Sequence, residues 1–364
     1  MSNLRIMITG GAGFIGSHLV DKLSALNFDL VVVDNLASGH QSNLGSSARF
    51  YNIDITDEHL SDIFEQEKPD IVFHLAAQIS VQASMKDPYN DSRINVLGSI
   101  NLFENCVRFG VKKVIYASSG GAIYGEPLYL PCDEAHPINP LSHYGVAKYA
   151  VEKYLQVYNN SFGLQYTVLR FSNVYGPRQD PHGEAGVVAI FSKGMINGEP
   201  LVINGSGSQE RDFLFVSDLV DALTKSIDIA DGEIINIGTG QGYSVNYVHD
   251  ELKKHSGYML DTSSGPEKPG EVFRIYLDSE KARDILGWVP KIPIEEGLRL
   301  TVDWFKNKIA EFGKPGAMDL IRDGKRSGSP FYGRLNMFFY SPKFKSTLPY
   351  YDTFPLVLPL ESYS

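Results

Sequence analysis

Residues 4–16 read LRIMITGGAGFIG, and this stretch decides the fold. Leu4–Thr9 is a short apolar run of the kind found in buried strands, and a helical pattern follows Gly16. Gly10, Gly13 and Gly16 let the backbone turn sharply and approach a pyrophosphate held at the N-terminus of the helix. A glycine cluster alone could be a simple turn, but one that joins a strand to a helix predicts a nucleotide-binding loop.

The second predicted strand supports this interpretation. Asp29–Val33 is largely apolar and is followed directly by Asp34. In dinucleotide-binding folds an acid at the end of this strand accepts a hydrogen bond from a ribose 2′-hydroxyl. The negative charge of Asp34 would repel a 2′-phosphate, so the sequence predicts NAD as the cofactor in preference to NADP.

Apolar strands continue to alternate with amphipathic helices through the first half of the chain. We expect strands at 50–55, 71–77, 114–119 and 166–171, with a helix at 95–109. This alternation predicts an α/β fold with a Rossmann-type, doubly wound parallel sheet. Ligands bind beyond the carboxyl ends of such strands, where we expect one crevice. The residues that follow those ends are Asp34, Asp54, Ala76, Ala77, Ser118, Ser119 and Asn173.

Tyr144 and Lys148 form a second pattern, within a helical stretch at residues 142–155. Their spacing of four places both side chains on one face of a helix. A fixed ammonium beside the phenol should lower the phenol pKa from about 10 and make Tyr144 a usable base near neutrality. The spacing alone also fits an exposed helix without function, but the nucleotide-binding loop upstream favours a catalytic pair.

Composition limits the classes of partner. The chain has 364 residues, 43% hydrophobic and 21% charged, which allows two domains and a substantial core. A net charge of −10 without a long Lys/Arg run argues against nucleic acid or an anionic membrane as the main partner. Cys106 and Cys132 suggest neither a metal site nor a disulfide framework. No apolar run approaches the length of about 18 residues that a membrane-spanning helix needs. Without a signal-peptide pattern, we expect a cytoplasmic protein.

Taken in order, the motifs resemble those of the extended short-chain dehydrogenase/reductase family, in its NAD-dependent nucleotide-sugar epimerase and dehydratase branch. The matching pieces are Gly10–Gly16, Asp34–Asn35, Asp54–Ile55, His74–Ala77, Asn95, Ser118–Gly125, Tyr144, Lys148, Arg170–Pro177, Arg211–Phe213, Asn236–Gly240 and Pro269–Glu271. The resemblance covers roughly residues 4–310, and residues 175–188 particularly resemble prokaryotic UDP-glucose 4-epimerase-like members.

The resemblance implies the catalytic roles. Tyr144 would be the base at a sugar hydroxyl, while Lys148 would hold the nicotinamide ribose. Many relatives carry a catalytic Ser or Thr where this chain has Gly120. We therefore favour the neighbouring Ser119 as the hydroxyl that binds the reacting oxygen, with Ser118 as the alternative.

The resemblance also implies the binding residues. The implied cofactor contacts are Gly10, Gly13, Phe14, Ile15, Gly16, Asp34, Asn35, Leu36, Ser38, Gly39, Asp54, Ile55, Leu75, Ala76, Ala77, Gln78, Asn95, Ser118, Tyr144, Lys148 and Ser172. The implied substrate contacts are Asn173, Val187, Val188, Leu201, Ile203, Arg211 and Glu271. Asn173 and Arg211 would hold a pyrophosphate and Glu271 a ribose hydroxyl. The alternative for Arg211 is a surface ion pair with Glu210 or Asp212.

Two positions narrow the implied chemistry. Sugar-nucleotide dehydratases of the family carry Asp-Glu where this chain has Gly121 and Ala122, and related decarboxylases carry Glu at the second position. Without those acids we expect 4-epimerisation of a UDP-hexose. The resemblance places Ile275 near the C2 substituent of the sugar, and its intermediate size leaves open whether the substrate is UDP-glucose/UDP-galactose or the N-acetyl forms. The alternatives are a UDP-glucuronate 4-epimerase, a 4-keto reductase, or a non-enzymatic NAD-binding assembly protein.

The expected organisation has three parts. Residues 1–172 form the NAD-binding Rossmann domain, and residues 173–314 form mainly a smaller α/β substrate domain, some elements of which pack on the first. Residues 315–364 are an aromatic and proline-rich tail outside the resemblance, in which we expect a strand at 334–340 and either a contact to another protein or partial disorder. The resemblance also implies a homodimer through the helices that begin near Asn95 and Tyr144. Trp288 and His74 are expected to be structural, and no metal is expected.

Overall fold

Seven parallel strands form the central sheet of the computed structural model, which describes residues 4–181, 186–267 and 272–312. The strand order is β11-β6-β5-β4-β1-β2-β3. These strands are β1 (Arg5–Thr9), β2 (Asp29–Asp34), β3 (Ala48–Asn52), β4 (Ile71–His74), β5 (Lys113–Ser119), β6 (Gln165–Phe171) and β11 (Glu233–Ile237). Each pairs in parallel with its neighbours, as Ile6 of β1 does with Leu30 on one side and Ile71 on the other.

Helices cover both faces of the sheet, which confirms the doubly wound α/β fold. Within the described ranges the α-helices are α1 (Phe14–Ala25), α2 (Leu60–Glu67), α3 (Val81–Lys86), α4 (Pro88–Ser92), α5 (Gly98–Arg108), α6 (Gly120–Ile123), α7 (His143–Phe162), α8 (Val187–Asn197), α9 (Val216–Lys225), α10 (Val245–Ser256), α11 (Glu280–Leu286) and α12 (Ile294–Phe312). None of the described helices is both long and apolar enough to cross a membrane.

The two faces of β1 show how one strand serves two cores. Ile6 and Ile8 pack with α1 and α9, whereas Met7 packs with α2, α5 and α7. Successive side chains of a strand point to opposite faces, so a strand covered on both sides is apolar throughout. Trp288 is buried in the first of these cores and donates from Nε1 to the carbonyl of Asp218 at 2.8 Å, which confirms its structural assignment.

The second half of the chain contributes to the same sheet and also builds its own core. Strand β11 lies at the edge of the sheet beside β6, so the chain returns to the first half after residue 172. The remaining strands are β7 (Asn173–Tyr175), β8 (Leu201–Asn204), β9 (Glu210–Arg211), β10 (Phe213–Phe215), β12 (Tyr243–Ser244), β13 (Thr262–Gly265) and β14 (Arg274–Ile275). A further core joins α8, α10, α12 and β8. The domain boundary at residue 172 stays a prediction.

Two predicted strands end earlier than expected. Strand β3 ends at Asn52 because Asp54 turns the chain, its Oδ1 accepting hydrogen bonds from the backbone amide and the hydroxyl of Thr56, each at 2.8 Å. Strand β4 ends at His74, and the following residues leave the sheet. The predicted helix at 95–109 is α5, preceded by a π-helical turn at Arg93–Leu97. The tail at 315–364, with its possible strand, lies outside the described residues.

Candidate active site

A crevice of about 400 Å³ opens at the carboxyl ends of β1, β2, β4 and β5. It collects most of the cofactor contacts that the sequence predicts. Those that line it are Gly10, Gly13, Phe14, Ile15, Gly16, Asp34, Asn35, Ser38, Asp54, Ile55, Leu75, Ala76, Ala77, Gln78, Ser118, Tyr144 and Lys148. The motifs of the first half therefore meet at one place, as expected for the carboxyl edge of a parallel sheet.

The glycine loop leaves no room for side chains on the crevice floor. Gly10 has a φ of 71°, and a Cβ there would lie 2.7 Å from the amide nitrogen of Ala76. A Cβ on Gly16 would overlap the carbonyl oxygen of Gly10. Helix α1 starts at Phe14, so its first amide groups face the loop, and such a helix start attracts phosphate.

Asp34 is fixed at the end of β2 by two backbone amides. Its Oδ2 accepts from Ala12 at 2.9 Å, and its Oδ1 accepts from Leu36 at 2.8 Å. Each oxygen keeps a second lone pair, which suits a ribose hydroxyl. Nearby, Asn35 donates to Asp54 at 2.7 Å. Burial would raise the pKa of Asp54, but hydrogen bonds from Thr56 and Asn35 outweigh it and hold this pKa below its ordinary value.

Four predicted cofactor contacts do not line the crevice, namely Leu36, Gly39, Asn95 and Ser172. The backbone amide of Leu36 donates to Oδ1 of Asp34. Gly39 lies close to the same oxygen, and a Cβ on Gly39 would be 3.0 Å from it. The hydroxyl of Ser172 is buried and has no hydrogen-bond partner within the described part of the chain. This unused polar group and the glycine cradle fit a bound NAD.

Asn95 supports the crevice from behind. Its Oδ1 accepts from the backbone amide of Gln78 and its Nδ2 donates to the Gln78 carbonyl, both at 2.9 Å. The second Nδ2 proton goes to Asp91 at 3.0 Å. These bonds show that Asn95 holds Gln78, which lines the crevice, in place, and a direct cofactor contact of Asn95 stays a prediction.

His74 occupies a structural position, as predicted. Its Nδ1 lies 2.9 Å from the hydroxyl of Thr9 and its Nε2 lies 2.8 Å from that of Ser99. Burial, together with the charge of Lys148, lowers the pKa of His74 to about 3, so the ring is neutral. Nowhere in the described ranges do three or more His, Cys, Asp or Glu side chains gather to hold a metal ion.

Apolar residues that carry no motif also line the crevice. They are Val33, Ala37, Ile53, Ile79, Ile94 and Ala117, and Phe171 of the Arg170–Pro177 motif lines the crevice as well. Most lie at or next to strand ends, where a sequence pattern shows only that they are buried. Their place in the crevice, among the motif residues, is what marks them as functional. That place becomes known only with the order of the strands in the sheet.

Tyr144 and Lys148 meet in the first turns of α7. The helix is capped by Ser142, whose hydroxyl accepts from the amide of Gly145 at 3.1 Å. The ammonium of Lys148 lies 5.8 Å from the centroid of the Tyr144 ring and donates to the carbonyl of Ala117 at 2.9 Å. The predicted pair is thus brought together beside the end of β5.

The pKa values of this pair differ from the expectation. Burial raises the pKa of Tyr144 to about 12, and a hydrogen bond from Ser119 opposes this shift. Burial also lowers the pKa of Lys148 to about 8. The predicted lowering of the phenol pKa by Lys148 is wrong for the protein alone, because the ammonium bonds to the Ala117 carbonyl and burial dominates.

The two adjacent serines point to different partners. Ser118 donates to Glu152 at 2.6 Å, and Glu152 is paired with Arg170 at 2.7 Å in a buried network. Ser119 is the serine that interacts with the phenol of Tyr144. A Cβ on Gly120 would lie 2.5 Å from the side chain of Leu277, so a Ser or Thr at the position used by many relatives would require Leu277 to move.

The predicted pyrophosphate contacts lie in the second half. Asn173 is exposed at the start of β7, and a Cβ on Gly121 would be 3.5 Å from its Oδ1. Arg211 donates from Nη1 to the carbonyls of Glu210 at 2.9 Å and Phe273 at 3.2 Å. The two acids considered as alternative partners are engaged elsewhere. Glu210 pairs with Arg274 at 2.8 Å, and Asp212 is buried and accepts from Thr239, Gly240 and Leu277.

The other predicted substrate contacts divide into three groups. Val188 and Leu201 are buried in the core of α8 and β8, so their side chains contact protein, and only their backbone could meet a ligand. Val187 and Ile203 are partly buried against the same core. Glu271 lies outside the described residues. Ile275, expected near the sugar C2 substituent, is buried in a small cluster with Leu277.

Known proteins are similar to this chain in both sequence and fold. A putative UDP-glucose 4-epimerase of Methanocaldococcus jannaschii is 47% identical over 302 residues, covering 83% of this chain and 98% of that relative. The crystal structure of UDP-glucose 4-epimerase from Thermotoga maritima with UDP-glucose superposes with a TM-score of 0.83 at 47% identity, covering 84% of this chain and 100% of that one.

A second solved structure agrees with the first. UDP-glucose 4-epimerase from Thermus thermophilus in complex with NAD has a TM-score of 0.81 at 41% identity, covering 83% of this chain and 99% of that one. The model of the NAD dependent epimerase/dehydratase family matches residues 6–238. The chain therefore belongs to the NAD dependent epimerase/dehydratase family, as the order of its motifs predicted.

Proposed function

We propose that this protein catalyses the NAD-dependent 4-epimerisation of a UDP-hexose through a transient 4-keto sugar. The observation that carries the proposal is the meeting of Tyr144 and Lys148 in a crevice lined by a dinucleotide-binding glycine loop, with Ser119 hydrogen-bonded to Tyr144. Relatives at up to 47% identity are UDP-glucose 4-epimerases, which supports the same reaction.

The lining of the crevice supports a place for the cofactor in this proposal. The glycine loop and α1 would hold the pyrophosphate of NAD, and Asp34 would accept from a ribose hydroxyl. Once bound, NAD supplies a hydride acceptor that also returns the hydride, so no external reductant is consumed. Bound NAD in its oxidised form would also add a positive charge to the site, which would favour ionisation of Tyr144.

Tyr144 moves the proton in this proposal. Its phenolate takes the proton of the C4 hydroxyl as the carbonyl forms, and returns it after the sugar has turned over in the pocket. Lys148 stabilises the phenolate by its charge, and Ser119 hydrogen-bonds the reacting oxygen. Asn173 and Arg211 hold the pyrophosphate of the substrate while the hexose rotates.

Dehydration of the same sugar is disfavoured by the residues beside Asn173. Eliminating water from the 4-keto sugar needs a further acid and base, and Gly121 and Ala122 provide neither. A small side chain at Gly121 would fit, since a Cβ would make only an ordinary contact of 3.5 Å with Asn173.

The proposal includes a homodimer formed through α5 and α7. Exposed apolar side chains follow one face of α7 at Val146, Tyr154 and Val157, with Leu97 exposed just before α5. A cytoplasmic location fits the two cysteines, Cys106 and Cys132, which are both buried and free.

A substrate panel tests the function. The purified protein, without added reductant, is incubated separately with UDP-glucose, UDP-galactose, their N-acetyl forms and UDP-glucuronate, and the products are resolved by NMR. We expect inversion at C4 of at least one UDP-hexose and loss of turnover in Tyr144→Phe, which keeps the ring but removes the hydroxyl. Inversion of UDP-glucuronate alone would move the substrate class, and inversion of none would overturn the proposal.

A further inference from the structure

One buried carboxylate near Tyr144 and Lys148 has no role in the scheme above. Asp91 is 1% exposed and lies on α4, which packs against α7. Its Oδ1 accepts from Gln78 at 2.8 Å and from Asn95 at 3.0 Å. Its Oδ2 is buried and has no hydrogen-bond partner among the residues that the structure describes. A carboxylate oxygen left in this state is costly and calls for a reason.

The charges around Lys148 come from several elements. Glu152 lies one turn further along α7 but is already paired with Arg170 and Ser118. The rings of Tyr116 on β5 and Tyr144 lie 5.0 and 5.8 Å from the ammonium, and neutral His74 lies on β4. His143, at the start of α7, is exposed and acts on Asp91 by its charge.

Asp91 is the acid in this group that is not matched with an arginine. Burial lowers the pKa of Lys148, and the charge of Asp91 opposes this more than that of Glu152 does. The same charge adds to burial in raising the pKa of Tyr144. Burial raises the pKa of Asp91 itself, against its hydrogen bonds and the nearby Lys148 and His143. The negative charge of Asp91 thus acts to raise the pKa of both Tyr144 and Lys148.

We propose that Asp91 is a positioning residue whose negative charge keeps Lys148 protonated and sets the pH range in which Tyr144 and Lys148 act together. The inference rests on the proposed function, because it assigns Asp91 a role in that reaction. Through Gln78 and Asn95, the same carboxylate also fixes the wall of the cofactor crevice.

Asp91→Asn separates charge from shape. Asparagine keeps an oxygen for Gln78 and Asn95 and replaces the unpartnered oxygen with a neutral amide. We expect both limbs of the pH profile of kcat to move to lower pH, by on the order of one unit. Without the anion, the phenol ionises at lower pH, which moves the acid limb, and the ammonium deprotonates at lower pH, which moves the alkaline limb.

Asp87→Asn is the matched control. Asp87 lies four residues earlier, caps α4 by accepting from Asn90 at 3.0 Å, and is exposed. Asparagine caps a helix as well as aspartate does, and solvent screens the lost charge, so the profile should not move. Circular dichroism and the amount of retained NAD establish that each variant is folded, and Asp91→Ser supplies a second neutral variant.

The outcomes are distinct. A profile that moves to lower pH in Asp91→Asn or Asp91→Ser, but not in Asp87→Asn, supports the proposal. An unmoved profile in a folded Asp91 variant, or an equal shift in Asp87→Asn, overturns it. If the wild-type protein inverts no UDP-hexose at C4, the proposed function has failed and this role for Asp91 falls with it; failure of the Asp91 variants alone leaves the proposed function intact.

Discussion

At the residue scale, Ser118 and Ser119 show what a motif can and cannot predict. The motif places a hydroxyl at the end of β5, and resemblance favours Ser119. Both serines contact side chains of α7, so the alternation of side chains along β5 does not decide which of them meets Tyr144. Which one does so depends on the packing of α7 against β5, where Ser118 donates to Glu152 and Ser119 interacts with the phenol of Tyr144.

Ser119→Ala should lower kcat by on the order of 10²-fold with little change in KM, because it removes a donor that binds the reacting oxygen in the transition state. Steady-state kinetics on the best substrate of the panel measures this. Ser118→Ala is the neighbouring control. It removes a donor to the buried Glu152 and should cost about 1–3 kcal/mol in the free energy of unfolding while leaving kcat within a few-fold.

The opposite pattern would contradict the assignment of Ser119. If Ser118→Ala lost more kcat than Ser119→Ala while remaining folded, Ser118 would be the hydroxyl at the reacting oxygen. Denaturant unfolding of both variants separates the loss of stability from the loss of catalysis.

The pKa of Tyr144 is a residue-scale property that spacing could not predict. The interval of four places Lys148 on the same face of α7, and the structure confirms that placement. Spacing does not reveal how deeply the pair is buried or that the ammonium donates to Ala117. The sequence therefore underestimates burial, which raises the pKa of Tyr144, whereas a neighbouring positive charge lowers it.

At the element scale, the regular strands and helices of the first half follow from periodicity alone. Strand β2 has the predicted start, and β5 and β6 begin one residue before the predicted positions. The ends of β3 and β4 depend on hydrogen bonds such as those of Asp54, which a hydropathy pattern does not contain. The return of β11 to the sheet depends on pairing with β6, more than 60 residues earlier, so no local pattern predicts it.

The proposed dimer is also a property of elements. Val157, on α7, is 57% exposed and lies on the same face as Val146 and Tyr154. We expect the wild-type protein, of 40.4 kDa per chain, to sediment as a dimer and Val157→Glu to sediment as a monomer, because a buried unpaired carboxylate is costly at an interface.

Met259→Glu serves as the control for the dimer. Met259 is 86% exposed and lies just after α10, away from this face, so its substitution should leave the mass unchanged. A monomeric wild type, or a dimer that survives Val157→Glu unchanged, would contradict the proposed interface.

At the scale of the whole molecule, the sequence predicted the fold and the polar frame of the crevice, because motif residues that follow parallel strands must meet at one edge. It missed the apolar lining, such as Ile79 and Ile94, since their sequence pattern is that of any core residue. It also could not show that Val188 and Leu201 face the core, which depends on how α8 packs on β8.

Reversible oxidation at C4 is the central claim, and one measurement tests it most directly. The protein is incubated in D₂O with the UDP-hexose that it converts, without added cofactor, and the product is followed by NMR. We expect C4 to invert while its carbon-bound hydrogen remains protium, because that hydrogen leaves and returns as hydride within the site. Deuterium at C4 of the product, or no inversion of any UDP-hexose, would contradict it.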